Sequence, residues 1–335
     1  MYLIVPDTHF KEHLGYADHV ADRRIKEREE ILDFVVSQAE DCSAVIFVGD
    51  IFNSRSNPSS VIKECTNFIE RFSGKEVFIL AGNHDKSGGK SAIDYLAEIK
   101  NPKWHVIINE VYTWNNVTFC PYFTKAELGV SDYGEATSTL MKKFKKNDIF
   151  VCHHSISGTF MSEGMSTDSF NEIVLPREEL EKKYNLVIGG HIHTPSQKGR
   201  VIVTGSLFNN EVGEQGKFVW KVNEETMEEE QIAVPGRPIY KFINPSLSEL
   251  DLPVNSIVKV IITDKEKTKD IEGIREKLET YDAGLILEQY SHERRRLNLE
   301  NEVVDFENID SLLSIYASER KVDLGKLQLA FQLIK

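Results

Sequence analysis

Five times before residue 194 the chain runs through a short apolar stretch and stops in a turn of Asp, Asn or His. Met1–Val5 ends at Pro6-Asp7-Thr8-His9, and Ala44–Val48 ends at Gly49-Asp50. Glu76–Leu80 runs into Ala81-Gly82-Asn83-His84-Asp85, Ile149–Cys152 into His153-His154, and Leu186–Ile188 into Gly189-Gly190-His191-Ile192-His193. Such runs, β-branched or aromatic and bounded by glycine, read as strands covered on both faces. Between the first three lie a helix over 23–40, with Ile25, Ile31, Leu32, Val35 and Val36 at helical spacing, and a helix opening near Pro58-Ser59-Ser60. Strand, helix, strand, helix, strand implies an α/β sheet, and such sheets hold ligands beyond the carboxyl ends of their strands.

Further on, the pattern predicts helices over 91–99, 134–144 and 177–183, with strands near 106–108 and 117–120. Val201–Ser206, Lys217–Trp220 and Glu230–Val234 read as strands of a second sheet. The expected fold is a two-sheet β-sandwich flanked by helices over 1–235. Prolines 235, 238, 245 and 253 mark a linker over 236–255. A small α+β module follows over 256–300, built from a strand over 256–262, a helix over 271–278 and a strand over 284–290. A tail over 301–335 carries two helical patterns, 309–317 and 324–334.

Composition limits the function. A formal charge of −13 over 335 residues argues against gripping nucleic acid with the surface as a whole. Lys142-Lys143-Phe144-Lys145-Lys146 and Arg294-Arg295-Arg296 are basic clusters that read first as solvated faces. Cys42, Cys65, Cys120 and Cys152 lie far apart without paired spacing, which predicts buried thiols in a reducing compartment. The chain opens directly in a strand, with no basic leader before it and no membrane-length apolar run, so a cytoplasmic location is the expectation.

Taken one by one, the strand-end residues have ordinary explanations. Asp50 reads as a helix cap, His153 or His154 as a hydrogen-bonded core histidine, and Gly82-Asn83-His84-Asp85 as a solvated turn. Five such turns, all at strand ends, are not explained by capping. In an extended segment residues two apart point the same way, so His191 and His193 can face one cluster, as can Asp7 and His9. A single carboxylate such as Asp50 can bridge two cations. A donor set of His, Asp and Asn without Cys suits manganese, iron or zinc rather than a thiolate zinc site. Two such ions activate water and clamp the oxygens of an in-line displacement at phosphorus.

Asp7-Thr8-His9, Gly49-Asp50, Gly82-Asn83-His84-Asp85, His153 and Gly190-His191-Ile192-His193 resemble, in order, the five motifs of the calcineurin-like metallophosphoesterases. Within that family, Gly49-Asp50-Ile51-Phe52, Asn57-Pro58-Ser59 and Thr204-Gly205-Ser206 resemble the SbcD and meiotic-recombination-eleven nucleases. The 256–300 module resembles their capping domain and the tail their ATPase attachment segment. The compact length is similar to that of the T-even phage recombination-nuclease subunit. Phe10 departs from the Leu-Gly usual there, and His154 replaces the residue that usually follows the ligand histidine. The resemblance implies two divalent ions, manganese first, with magnesium, iron or zinc as alternatives. Asp7, His9, Asp50 and His193 would hold one ion; Asp50, Asn83, His153 and His191 would hold the other. It gives His84 the role of stabilising or protonating the reacting phosphate, with Asp85 orienting it. It also implies a DNA exonuclease and endonuclease of break repair or recombination. Its partners would be DNA, an SMC-like ATPase subunit of the SbcC type attached at the tail, and a second copy of the chain, with no membrane. The alternative reading is a phosphodiesterase or phosphatase for small phosphoesters, using the same metal residues.

Overall fold

The computed structural model describes residues 1–12, 21–87, 90–162, 165–166, 172–209, 214, 216–237, 239–254, 256–263, 270–281 and 283–288. The Arg294–Arg296 cluster, the end of the 256–300 module and the 301–335 tail lie outside them.

Two six-stranded sheets face each other. In the first, Tyr2–Val5, Ala44–Phe47, Glu76–Leu80 and Trp104–Ile107 run parallel in that order. In the second, Val201–Val203, Leu186–Gly189, Ile149–Cys152 and Val117–Cys120 run parallel, with Ser196–Lys198 and Tyr112–Trp114 antiparallel at the edges. Because strand side chains alternate, each apolar run supplies two faces. Tyr2, Ile4, Ile46, Phe78 and Leu80 point between the sheets and meet Val117, Phe119, Val151 and Ile188. Leu3, Val5, Val45, Phe47 and Ile79 point the other way, against Leu32 and Val35 of helix Ala21–Gln38 and Val61, Cys65 and Phe68 of helix Ser59–Glu70. Phe150, Cys152 and Val187 pack on helices Tyr133–Met141 and Arg177–Lys183. Double-sided burial is why these strands read as continuous apolar runs. All four cysteines are buried as free thiols.

Two strands assigned from the sequence to the second sheet belong to the first. Phe218–Val222 lies antiparallel to Tyr2–Val5, and Glu229–Ala233 pairs outside it. The chain crosses between sheets just after Val203, where Ser206 pairs with Asp7 and the Leu207 amide donates to the Asp7 carbonyl at 2.8 Å. Trp220 and Val222 then bury their side chains against Tyr2 and Ile4. Residues 236–255, read as a linker, include strand Ile239–Ile243 and a 3-10 turn, Leu247–Leu250. The prolines interrupt this segment but leave the five residues 239–243 free to pair. They lie parallel to Ile257–Ile262, which pairs in turn with Ala283–Glu288. Helix Ile271–Leu278, with Ile274 and Leu278 buried, packs against strand Ala283–Glu288 and the Leu247–Leu250 turn, and the Tyr281 hydroxyl donates to the Leu250 carbonyl. Among the described residues no helix is long and apolar enough to cross a membrane.

Candidate metal centre

The first three turns end adjacent parallel strands of one sheet and the last two end adjacent strands of the other, so all five meet at one edge of the sandwich. His9, Asp50 and His191 adopt φ of +45°, +45° and +77°, left-handed values that cost non-glycine residues about 1–3 kcal/mol each. At Gly82 any Cβ would fall inside the Asp50 carboxylate, and at Gly49, itself at φ +120°, inside the His153 ring. Glycine at these two positions is what lets the backbone pass so close to the functional side chains.

Three groups of side chains converge. Asp7, His9 and His193 bring one donor atom each within 4.8 Å of one another, as do Asp50, His153 and His191, and a third group of His9, Asp50 and His84 overlaps both. The Asn83 amide oxygen joins the second group, 3.1 Å from His153 Nε2 and 2.8 Å from His191 Nδ1. Asp50 Oδ2 lies between the groups, 3.6 Å from His9 Nε2 and 3.3 Å from His153 Nε2. The second Asp50 oxygen accepts the His84 amide at 2.8 Å.

These groups fit divalent cations on their own chemistry. His153 Nδ1 donates to the Val48 carbonyl at 2.9 Å, which leaves Nε2, facing the oxygens of Asn83 and Asp50, as the atom that holds a proton or, in its place, a cation. His9 Nε2 and His193 Nε2 face each other at 2.8 Å. Asp7 Oδ1 is buried without a hydrogen-bond partner among the described residues. Lone pairs converging on one another with few protons between them are what a cation site presents.

The electrostatics agree. Burial pushes Asp7 up to about 6 and His9 down to about 3. Burial also works against the charge on Asp50, yet His153 beside it holds the carboxyl below the usual range. Burial disfavours protonation of His153, but Asp50 and Asp7 lift it to about 10. Two buried carboxylates therefore draw a positive charge into the cluster, and a cation can supply it in place of a proton.

His84 is exposed at the edge of the cluster, its ring edge-on to His9 at 4.9 Å between centroids. Its Nδ1 donates to the Asn53 carbonyl at 2.9 Å, which leaves Nε2 for a ligand. Asp85 does not orient that ring. Its carboxylate is buried and accepts the amides of Ile51, Phe52 and Gly82 at 3.1, 2.9 and 2.9 Å, locking the turn that follows Asp50. Burial and the neighbouring Asp50 push it up to about 7. His154 points away: its Nε2 accepts the Phe123 amide at 3.1 Å and its ring stacks on Tyr122. Of the two histidines after that strand, His153 is the one in the cluster.

Three further groups reach the site without belonging to any of the five motifs. Asn53 acts through a backbone carbonyl, which no residue pattern reveals. Glu172 and Glu214 lie against His191 and His193, both at 2.9 Å. Neither stands at the carboxyl end of an apolar run as the motif residues do, and their approach to the two histidines arises only on folding.

Residues 2–195 match the calcineurin-like phosphoesterase family, and the chain belongs to it. It is a metal-dependent phosphoester hydrolase. No curated protein matches the chain. Among solved structures it is similar to an archaeal phosphodiesterase at 15% identity, covering 69% of this chain and 98% of that one, with a TM-score of 0.34. It is also similar to TT1561 of Thermus thermophilus at 15% identity, covering 70% of this chain and 98% of that one, with a TM-score of 0.42.

Proposed function

We propose that the chain is a manganese-dependent DNA nuclease, cutting phosphodiester bonds both at ends and internally, and that it works as a homodimer with an SMC-like ATPase in break repair or recombination. The observation that carries the hydrolytic part is the convergence of Asp7, His9, Asp50, Asn83, His153, His191 and His193 beside an exposed His84. When bound, two divalent ions supply an activated water and neutralise phosphate charge. Asp7, His9, Asp50 and His193 would hold one, and Asp50, Asn83, His153 and His191 the other. His84 is fixed through Nδ1–H to the Asn53 carbonyl, so it is as the imidazolium, with a second proton on Nε2, that it would serve a phosphate oxygen or the departing sugar oxygen as hydrogen-bond donor or general acid. Asp85 serves this indirectly, by fixing the Asp50 turn whose carboxylate also holds the His84 amide.

Support for DNA over a small ester comes from the nuclease-like motif neighbours and from the module built on residues 239–288, which a small-molecule hydrolase does not require. Attachment of the ATPase through residues 309–335, and of a second copy through helices near Pro58 or Ser91, belongs to the same proposal. The net charge of −13 favours the second reading, hydrolysis of small phosphodiesters or phosphomonoesters. Turnover with manganese on linear duplex DNA, compared with turnover on bis(p-nitrophenyl) phosphate, separates them. Release of nucleotides from duplex DNA is the expected result. Hydrolysis of the small diester alone, with DNA intact, would establish the second.

A further inference from the structure

Both histidines of the His191-Ile192-His193 pair meet a carboxylate on the ring nitrogen turned away from the cluster. Glu172 Oε2 accepts from His191 Nε2 at 2.9 Å, and Glu214 Oε1 accepts from His193 Nδ1 at 2.9 Å. A carboxylate only accepts, so each contact fixes the proton on that nitrogen and leaves the lone pair on the other. The remaining nitrogens point inward. His191 Nδ1 lies 2.8 Å from the Asn83 oxygen, and His193 Nε2 lies 2.8 Å from His9 Nε2. The two rings thus offer opposite nitrogens, and the choice is made by two different segments.

Each carboxylate is also tied to chain beside another ligand of the same ion. Glu172 takes the hydroxyl of Ser155, two residues after His153. Glu214 Oε2 takes Lys217 Nζ at 2.7 Å and the Ser206 hydroxyl at 3.2 Å, with Lys217 also donating to Ser206 at 2.6 Å. Ser206 pairs with Asp7 through the backbone. The Lys217 side chain is 7% exposed and the Glu214 side chain 10%, so this ion pair is enclosed, and Lys217 offsets the charge Glu214 brings beside the site.

We infer that Glu172 and Glu214 are positioning residues, Glu172 for the ion of Asp50, Asn83, His153 and His191, and Glu214 for the ion of Asp7, His9, Asp50 and His193. They set which ring nitrogen of each histidine is free, and Ser155 and the Ser206–Lys217 pair hold them in place. Outer carboxylates of this kind typically govern about 10–100-fold in metal affinity. The inference rests on the cluster being a metal centre and is independent of whether the substrate is DNA.

The test is Mn2+ titration by calorimetry of the full chain and its Glu172→Gln and Glu214→Gln variants. Wild type takes up two ions. Each variant is expected to lose about 10–100-fold in affinity at one of them, with the other unchanged. Ring-nitrogen NMR of the Zn2+-loaded wild type needs no variant, and it should show His191 protonated at Nε2 and His193 at Nδ1. Wild-type affinity for both ions in both variants would overturn the inference, as would the opposite protonation in either ring. A lower melting temperature of the metal-free variants with affinities unchanged would also overturn it, since that is the mark of a purely structural role. A wild type that binds no Mn2+ overturns the metal centre itself, and the inference with it.

Discussion

His84 and Gly82 sit two residues apart and are predicted to fail in different ways. His84 is exposed, its ring bonded to the Asn53 carbonyl and edge-on to His9, so His84→Ala is expected to leave the other converging ligands in place. Loss of a positioned proton donor is expected to cost about 10²–10⁴ in kcat. Two manganese ions should still bind by calorimetry; wild-type turnover would remove His84 from the mechanism. Gly82→Ala acts through geometry, because its methyl would occupy the place of the Asp50 carboxylate and the Asp50 amide. Manganese affinity and activity should then fall together, which parallel titration and rate measurements would reveal. Unchanged affinity would show that the turn can move aside. At this scale the ligand types are legible in the sequence, since each motif names its own side chains. The role of Asp85 is not, for a physical reason: adjacency to His84 suggests a contact, but the turn sends the carboxylate back to three amides, two of them in another segment.

The strands of the two sheets are legible because burial on both faces leaves an unbroken apolar run. Phe218–Val222 and Glu229–Ala233 are recognisable as strands from sequence, but the sheet they join is not. Their partner is set by the crossing at Ser206 and Leu207, a tertiary event that no local pattern encodes. Strand Ile239–Ile243 is hidden by its flanking prolines. Lys86 ties such elements together. It is 4% exposed, and its ammonium donates to the carbonyls of Ile108 and Tyr122 at 3.1 and 2.7 Å and pairs with Glu127 at 2.6 Å. It thereby joins the His84 turn to the segments following one strand of each sheet. Lys86→Met removes the donor from both carbonyls, each worth about 1–3 kcal/mol if left unpaired. Burial works against the charge on Glu127, yet the Lys86 contact holds its pKa below the ordinary value. A depressed carboxyl stabilises the fold above its unfolded pKa of about 4.3, and that stability is lost as pH falls through the folded value. Lys86→Met should therefore melt lower at pH 7 and lose less on acidification than wild type. Equal melting temperatures across the range would contradict this tether.

At the scale of the whole molecule, the two sheets act as a clamp that brings turns from both halves of the sandwich to one edge. Neither sheet alone assembles the set: Asp7, His9, Asp50 and Asn83 come from the first, His153, His191 and His193 from the second. The central claim is that this edge is a two-ion hydrolytic centre. The rate of phosphodiester hydrolysis against added Mn2+, with binding followed in parallel by calorimetry, tests it most directly. Activity should be absent without metal and should saturate as the second equivalent binds. Hydrolysis that proceeds undiminished in a chelator, or saturates with a single bound ion, would contradict it.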